Sequence, residues 1–170
     1  MKKISLRLVL LFILLVLLQI GLFDNIRLFG FATPLLYIYF LIKLPINMNR
    51  NIVLVLSALL GFTIDIFGGA LGLNMTVMIL VGFLRYYLLK LFAPKDVFDE
   101  YLPSFNTFGK FYFIRYAGIM TLTQIFLIFT IESFSLFNPV LLFLRIAGSF
   151  TLTILLIFAF ESVNFDVLKK

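Results

Sequence analysis

The chain contains no cysteine and no histidine. That removes disulfides, thiol nucleophiles, imidazole bases and the commonest nitrogen and sulfur metal ligands at once. Charge is the next scarcity: 13% of the 170 residues are charged, where soluble domains carry about 25%. The polar coat of a water-soluble fold is therefore missing. Catalytic patterns are missing as well, since the chain has no serine elbow, no glycine-rich phosphate cradle closed by a lysine, and no carboxylate pair within an apolar run. No catalytic residue, metal ligand set or cofactor site is assigned.

What the chain does hold is apolar bulk, with 63% hydrophobic residues including 23 Phe. It falls into six runs, at 4–23, 28–42, 52–67, 73–92, 111–131 and 140–160. About 20 helical residues cross roughly 30 Å of hydrocarbon, so six spans would take about 120 positions and leave only short connections. The expectation is an all-α fold, a polytopic transmembrane bundle of about six helices, in one domain spanning 1–170.

The first run follows Lys2 and Lys3 as in a secretory signal. No small-x-small cleavage site comes after it and five more runs do, so it reads as a retained helix. The second is short, contains Pro34, and is bounded by Asp24, Asn25 and Arg27 on one side and Lys43-Leu44-Pro45 on the other. It is expected to tilt or to begin as irregular backbone, with both prolines as punctuation. Gly68, Gly69 and Gly72 break the third run from the fourth and demand a tight turn. The connection 93–110 is the longest polar stretch, expected to be a solvated loop and the one candidate for a soluble interaction segment. Its acids Asp96, Asp99 and Glu100 lie among lysines, so they read as solvated charges and not as a cation site.

Fourteen basic residues give a net charge of +6. They are scattered between apolar runs and do not gather on one face, which argues against nucleic acid as a partner. Counted by alternate ends of six spans, twelve fall on one side and only Arg27 and Arg145 on the other. Lys and Arg are retained on the cytoplasmic side, so both termini are expected there. Tyr86, Tyr87, Tyr101, Tyr112 and Tyr116 fall toward the same interface, where amphipathic rings are favoured.

Asp65 is the most informative residue, because a carboxylate inside an apolar span costs several kcal/mol unless it is paired, protonated or wetted. Arg145 lies at comparable depth, and an Asp65 to Arg145 contact pinning the third helix to the sixth is expected, with Glu132 and Arg27 as competing partners. The other reading is that Asp65 reaches interfacial water or caps the following glycine turn.

The stretch 61–74, Gly61-Phe-Thr-Ile-Asp65-Ile-Phe-Gly-Gly69-Ala-Leu71-Gly72-Leu-Asn, resembles the signature of the MreD family, in which an aspartate ends one helix and a G-x-x-L-G turn opens the next. Leu18-Gln19-Ile20, Pro34 and Leu44-Pro45 stand at positions similar to the family's. The resemblance is clear to about Arg85 and rests on hydropathy afterwards. It implies a non-catalytic, six-helix inner-membrane protein whose fold is similar to the substrate-binding subunit of energy-coupling-factor transporters. Its implied partners are the membrane helix and external region of MreC, through MreC the cell-wall transpeptidase and glycosyltransferase, and MreB filaments at the cytoplasmic face. Asp65, Gly68, Gly69, Gly72, Arg145 and Pro34 are the residues expected to shape or present the partner-binding surface. The alternative is a vitamin-transporter substrate-binding subunit, whose ligand groups would come from Asn74, Thr76, Gln124, Thr151 and Thr153.

Overall fold

The structure is a computed structural model that describes residues 2–23, 32–69, 72–92, 102–132 and 138–167. Asp24, Asn25, Arg27, Tyr101, the loop acids Asp96, Asp99 and Glu100, and the terminal Lys169 and Lys170 lie outside the described residues. The fold is all-α. Helix α1 covers Lys2–Leu18 and runs on as a widened π-helical turn over Gln19–Phe23; then come α2 (Ile38–Ile42), α3 (Arg50–Gly68), α4 (Leu73–Phe92), α5 (Phe105–Phe108), α6 (Lys110–Glu132) and α7 (Pro139–Val167). Five of these are long and apolar enough to cross a membrane, α1 with its π turn, α3, α4, α6 and α7.

Burial is distributed opposite to a soluble protein's. Leu6, Leu10 and Leu17 of α1 and Val140 and Phe143 of α7 are exposed, while Gln19, Ser57, Asp65, Arg85, Thr121, Gln124, Ser149, Thr153 and Glu161 are buried. Hydrocarbon accepts the first set, and each member of the second needs a partner that only the protein interior can offer. A multi-pass membrane protein has this arrangement.

The second apolar run departs from the expectation of a sixth long helix. Among its described residues, 32–42, Ile38–Ile42 is the helical part, and residues 35–42 are all buried in the centre of the bundle. Pro34 has no N–H to donate and biases Thr33 away from helical backbone, so 32–37 is held by side chains instead. Thr33 N donates to Ser149 Oγ and Leu35 N to Thr153 Oγ1, both at 3.0 Å. Gln19 brackets the proline, its Nε2 donating to Pro34 O and its Oε1 accepting from Leu36 N, both at 3.1 Å. Such backbone is tolerated at membrane depth because protein surrounds it. The segment runs beside α7, from Ser149 opposite Thr33 to Glu161 opposite Tyr39 and Lys43.

Helices α3 and α4 form the tightest antiparallel pair. Asn49 caps α3, its Oδ1 accepting from Asn51 N at 3.0 Å. A Cβ on Gly61 would lie 2.5 to 2.6 Å from the backbone of Asn74 and Met75, and one on Gly82 would collide with Ser57. Small residues let backbones meet where lipid supplies no hydrophobic drive between helices. Gly61→Ala must push α4 away, and its expected cost is about 1–3 kcal/mol, read as a lower thermal midpoint in detergent; an unchanged midpoint would show that the two helices are not in backbone contact.

Candidate functional site

Asp65 is 6% exposed near the end of α3 and reaches across the glycine turn to the start of α4. Its Oδ1 accepts from the backbone N and side-chain Nδ2 of Asn74, each at 3.0 Å, and its Oδ2 from Met75 N at 2.8 Å. The first N–H groups of a helix have no intrahelical acceptor and carry its positive dipole end, so a carboxylate satisfies both needs. Gly69 ends α3 at φ 67° and Gly72 precedes α4 at φ 77°, left-handed values that cost a side chain. Gly68 is the last residue of α3. The turn and its aspartate fold as one unit.

The expected Asp65 to Arg145 contact is not formed. Arg145 instead approaches Glu132, Nη1 to Oε1 at 3.8 Å, and both side chains are partly solvent-accessible. The reason is local: three N–H donors lie within ten residues of Asp65, whereas Glu132 lies across the α6–α7 connection from Arg145. Asn74 carries the network inward, because its Oδ1 accepts a 2.6 Å hydrogen bond from Tyr37 Oη in the central segment.

The opposite end of that segment holds the strongest electrostatic feature, which the sequence analysis missed. Lys43 Nζ lies 2.7 Å from Glu161 Oε2, with side chains 11% and 3% exposed. It also donates to Pro103 O at 2.8 Å and sits 5.7 and 5.6 Å from the ring centroids of Tyr39 and Phe113. Glu161 further accepts from Tyr39 Oη at 2.8 Å and Phe105 N at 3.3 Å. Lys43 closed an apolar run and read as a positive-inside charge; the signal for its role was Glu161, an acid just beyond the sixth run that needs a partner as Asp65 does.

Next to this pair, Arg85 is 2% exposed and its fork takes the carbonyls at the end of α2: Nε donates to Leu41 O at 2.9 Å, and Nη2 to Leu44 O and Pro45 O at 2.6 and 3.1 Å. The segment 102–108 is not the solvated loop expected of it. Pro103 O and Phe105 N join the Lys43 to Glu161 cluster, and Phe105 stacks edge-on to Phe113 at 5.0 Å. Phe108 is buried, and so is Tyr116, which lies in the core and not at the interface, while Tyr86, Tyr87 and Tyr112 are exposed. Hydrogen bonds thus tie the central segment to the π turn of α1, to α4 and to α7, Lys43 reaches α6 over the Phe113 ring, and α3 joins through Asp65 and Asn74.

Of the alternative's ligand groups, Asn74 and Thr153 are committed to the network, and Thr76 and Thr151 donate to Gly72 O and Ala147 O. Gln124 and Thr121 are fully buried on α6 with no hydrogen-bond partner among the described residues. The geometry defines a helical membrane protein built around a buried, side-chain-clamped segment. No family model matches this chain, and no curated protein or solved structure matches it either.

Proposed function

We propose that the chain is a non-catalytic inner-membrane subunit of the cell-elongation complex, of the MreD kind, which binds the membrane helix and external region of MreC and supports peptidoglycan synthesis. The observation that carries this reading is the Asp65 unit: the stretch that resembles the family signature is also the stretch where a buried carboxylate and two positive-φ glycines join α3 to α4. In this reading the segment 32–45 supplies the sixth crossing in a fold akin to the substrate-binding subunit of energy-coupling-factor transporters. An even number of crossings leaves both termini on the basic, cytoplasmic side, facing MreB filaments. A rigid α3–α4 corner with a rim of exposed apolar residues, among them Phe62, Ile66 and Phe67, suits a partner helix that binds by shape.

Purification of the tagged chain from native membranes should bring down MreC. Asp65→Ala, which strips the acceptor from two backbone N–H groups, should cost about 0.5–2 kcal/mol of stability and reduce the MreC recovered per molecule of chain. Wild-type chain that recovers no MreC would defeat the proposal. The transporter reading has one observation in its favour, the unpartnered Gln124 and Thr121, and stabilisation by a vitamin in a thermal-shift screen would select it instead.

A further inference from the structure

The end of the bundle where α3 starts and α4 stops carries cations that make no ion pair with a described carboxylate, since the two pairs formed are Lys43 to Glu161 and Arg145 to Glu132. Two of these cations converge. The Arg50 guanidinium lies over Phe83, 4.1 Å from the ring centroid, and within 5.6 and 5.9 Å of the centroids of Tyr86 and Tyr87. Lys90 Nζ rests against the same Tyr86 ring at 4.5 Å. Tyr87 stacks with both Phe83 and Tyr86 at 5.5 Å, so the three rings form one platform.

We propose that Arg50 and Lys90, held on the Phe83, Tyr86 and Tyr87 platform, bind the phosphate of an anionic phospholipid. A guanidinium seated over a ring meets the π system with its charge and still has planar N–H donors that can fork onto a phosphate. Lys90 adds a second positive charge at the same Tyr86 ring. The rings are 41 to 49% exposed, as tyrosine and phenylalanine are where headgroups meet acyl chains. Beyond them, toward the middle of the helices, Val55 and Leu59 of α3 and Leu80 of α4 are exposed and apolar, a flank on which acyl chains lie. A zwitterionic lipid offers the same phosphate but brings its own cation into the seat, so charge selects the anionic class. This inference depends on the chain's residing in a bilayer and not on any protein partner.

The full chain, purified in detergent and titrated with phosphatidylglycerol or phosphatidylcholine under native mass spectrometry, tests it. Phosphatidylglycerol should be retained preferentially, and Arg50→Gln with Lys90→Gln should weaken its retention by roughly tenfold or more, since each basic side chain near an anionic headgroup contributes appreciably. Arg50→Lys with Lys90→Arg should keep most of the preference. Arg115→Gln removes a cation at the same end that rests on Phe111, and it should leave the preference unchanged. Equal retention of the two lipids, an equal loss in Arg115→Gln, or full retention in the double glutamine variant with unaltered helix content would overturn the proposal.

Discussion

Glu161→Gln is expected to destabilise the protein by about 3–5 kcal/mol, the usual result of leaving one partner of a buried ion pair behind. Lys43 would keep Pro103 O and the faces of Tyr39 and Phe113, but it would lose its only described counter-charge at 8% residue exposure. Replacing both members, Lys43→Met with Glu161→Gln, removes the stranded ammonium and should recover much of that loss. The measurement is a double-mutant cycle on unfolding midpoints in detergent. The consequence reaches beyond the pair. Glu161 also accepts from Tyr39 and Phe105, so the single variant should loosen 102–108 and raise its amide exchange, while α3 and α4 keep their protection. Additive single and double effects would mean that the two charges do not share one site.

Arg85→Met should cost about 3 kcal/mol, because hydrogen bonds made by charged donors are each worth roughly 1.5–3 kcal/mol and the carbonyls they leave are buried. Leu41 O and Pro45 O keep turn hydrogen bonds from Leu44 N at 3.4 Å and Met48 N at 3.3 Å. Leu44 O has Arg85 as its described donor, and its loss dominates. Arg85→Lys supplies one donor where a planar fork supplied several, so it should fall between wild type and Met. Hydrogen exchange across 41–48 checks the assignment: protection there should fall in the order Arg, Lys, Met. If Lys and Met were alike in stability and exchange, the fork would not be what holds this turn.

Much of the architecture was readable in advance where one physical cause dominated. The third and fourth runs, expected at 52–67 and 73–92, form helices at Arg50–Gly68 and Leu73–Phe92, because glycines that need positive φ mark the break and hydrocarbon length fixes the rest. The last two runs were placed to within a few residues at their starts, and α7 continues past the expected end to Val167. The second run misled for a definite reason. Hydropathy reports what a residue is surrounded by and not its backbone path, and a segment wrapped in protein is as apolar as one wrapped in lipid. Pro34 signalled the irregularity; what replaced the helical hydrogen bonds could not be seen from it.

Side-chain partners divided in the same way. Asp65 meets donors nine and ten residues on, close enough that the capping reading stood open from the residues alone. Lys43 and Glu161 are 118 residues apart, and their pairing exists only because the central segment and α7 run side by side. Expecting Arg145 for Asp65 matched charge and depth but ignored that nearby backbone N–H groups compete at no cost in chain closure.

Composition and run length by themselves determined that the chain is a bundle of apolar helices with few tolerated charges, since hydrocarbon admits little else. Tertiary structure alone decided that one apolar run becomes a buried core strap, and which cation answers which carboxylate. The physical reason is range: solvent preference acts residue by residue along the chain, whereas a buried charge or an orphaned carbonyl is satisfied by whatever the packing of distant helices brings within about 3 Å.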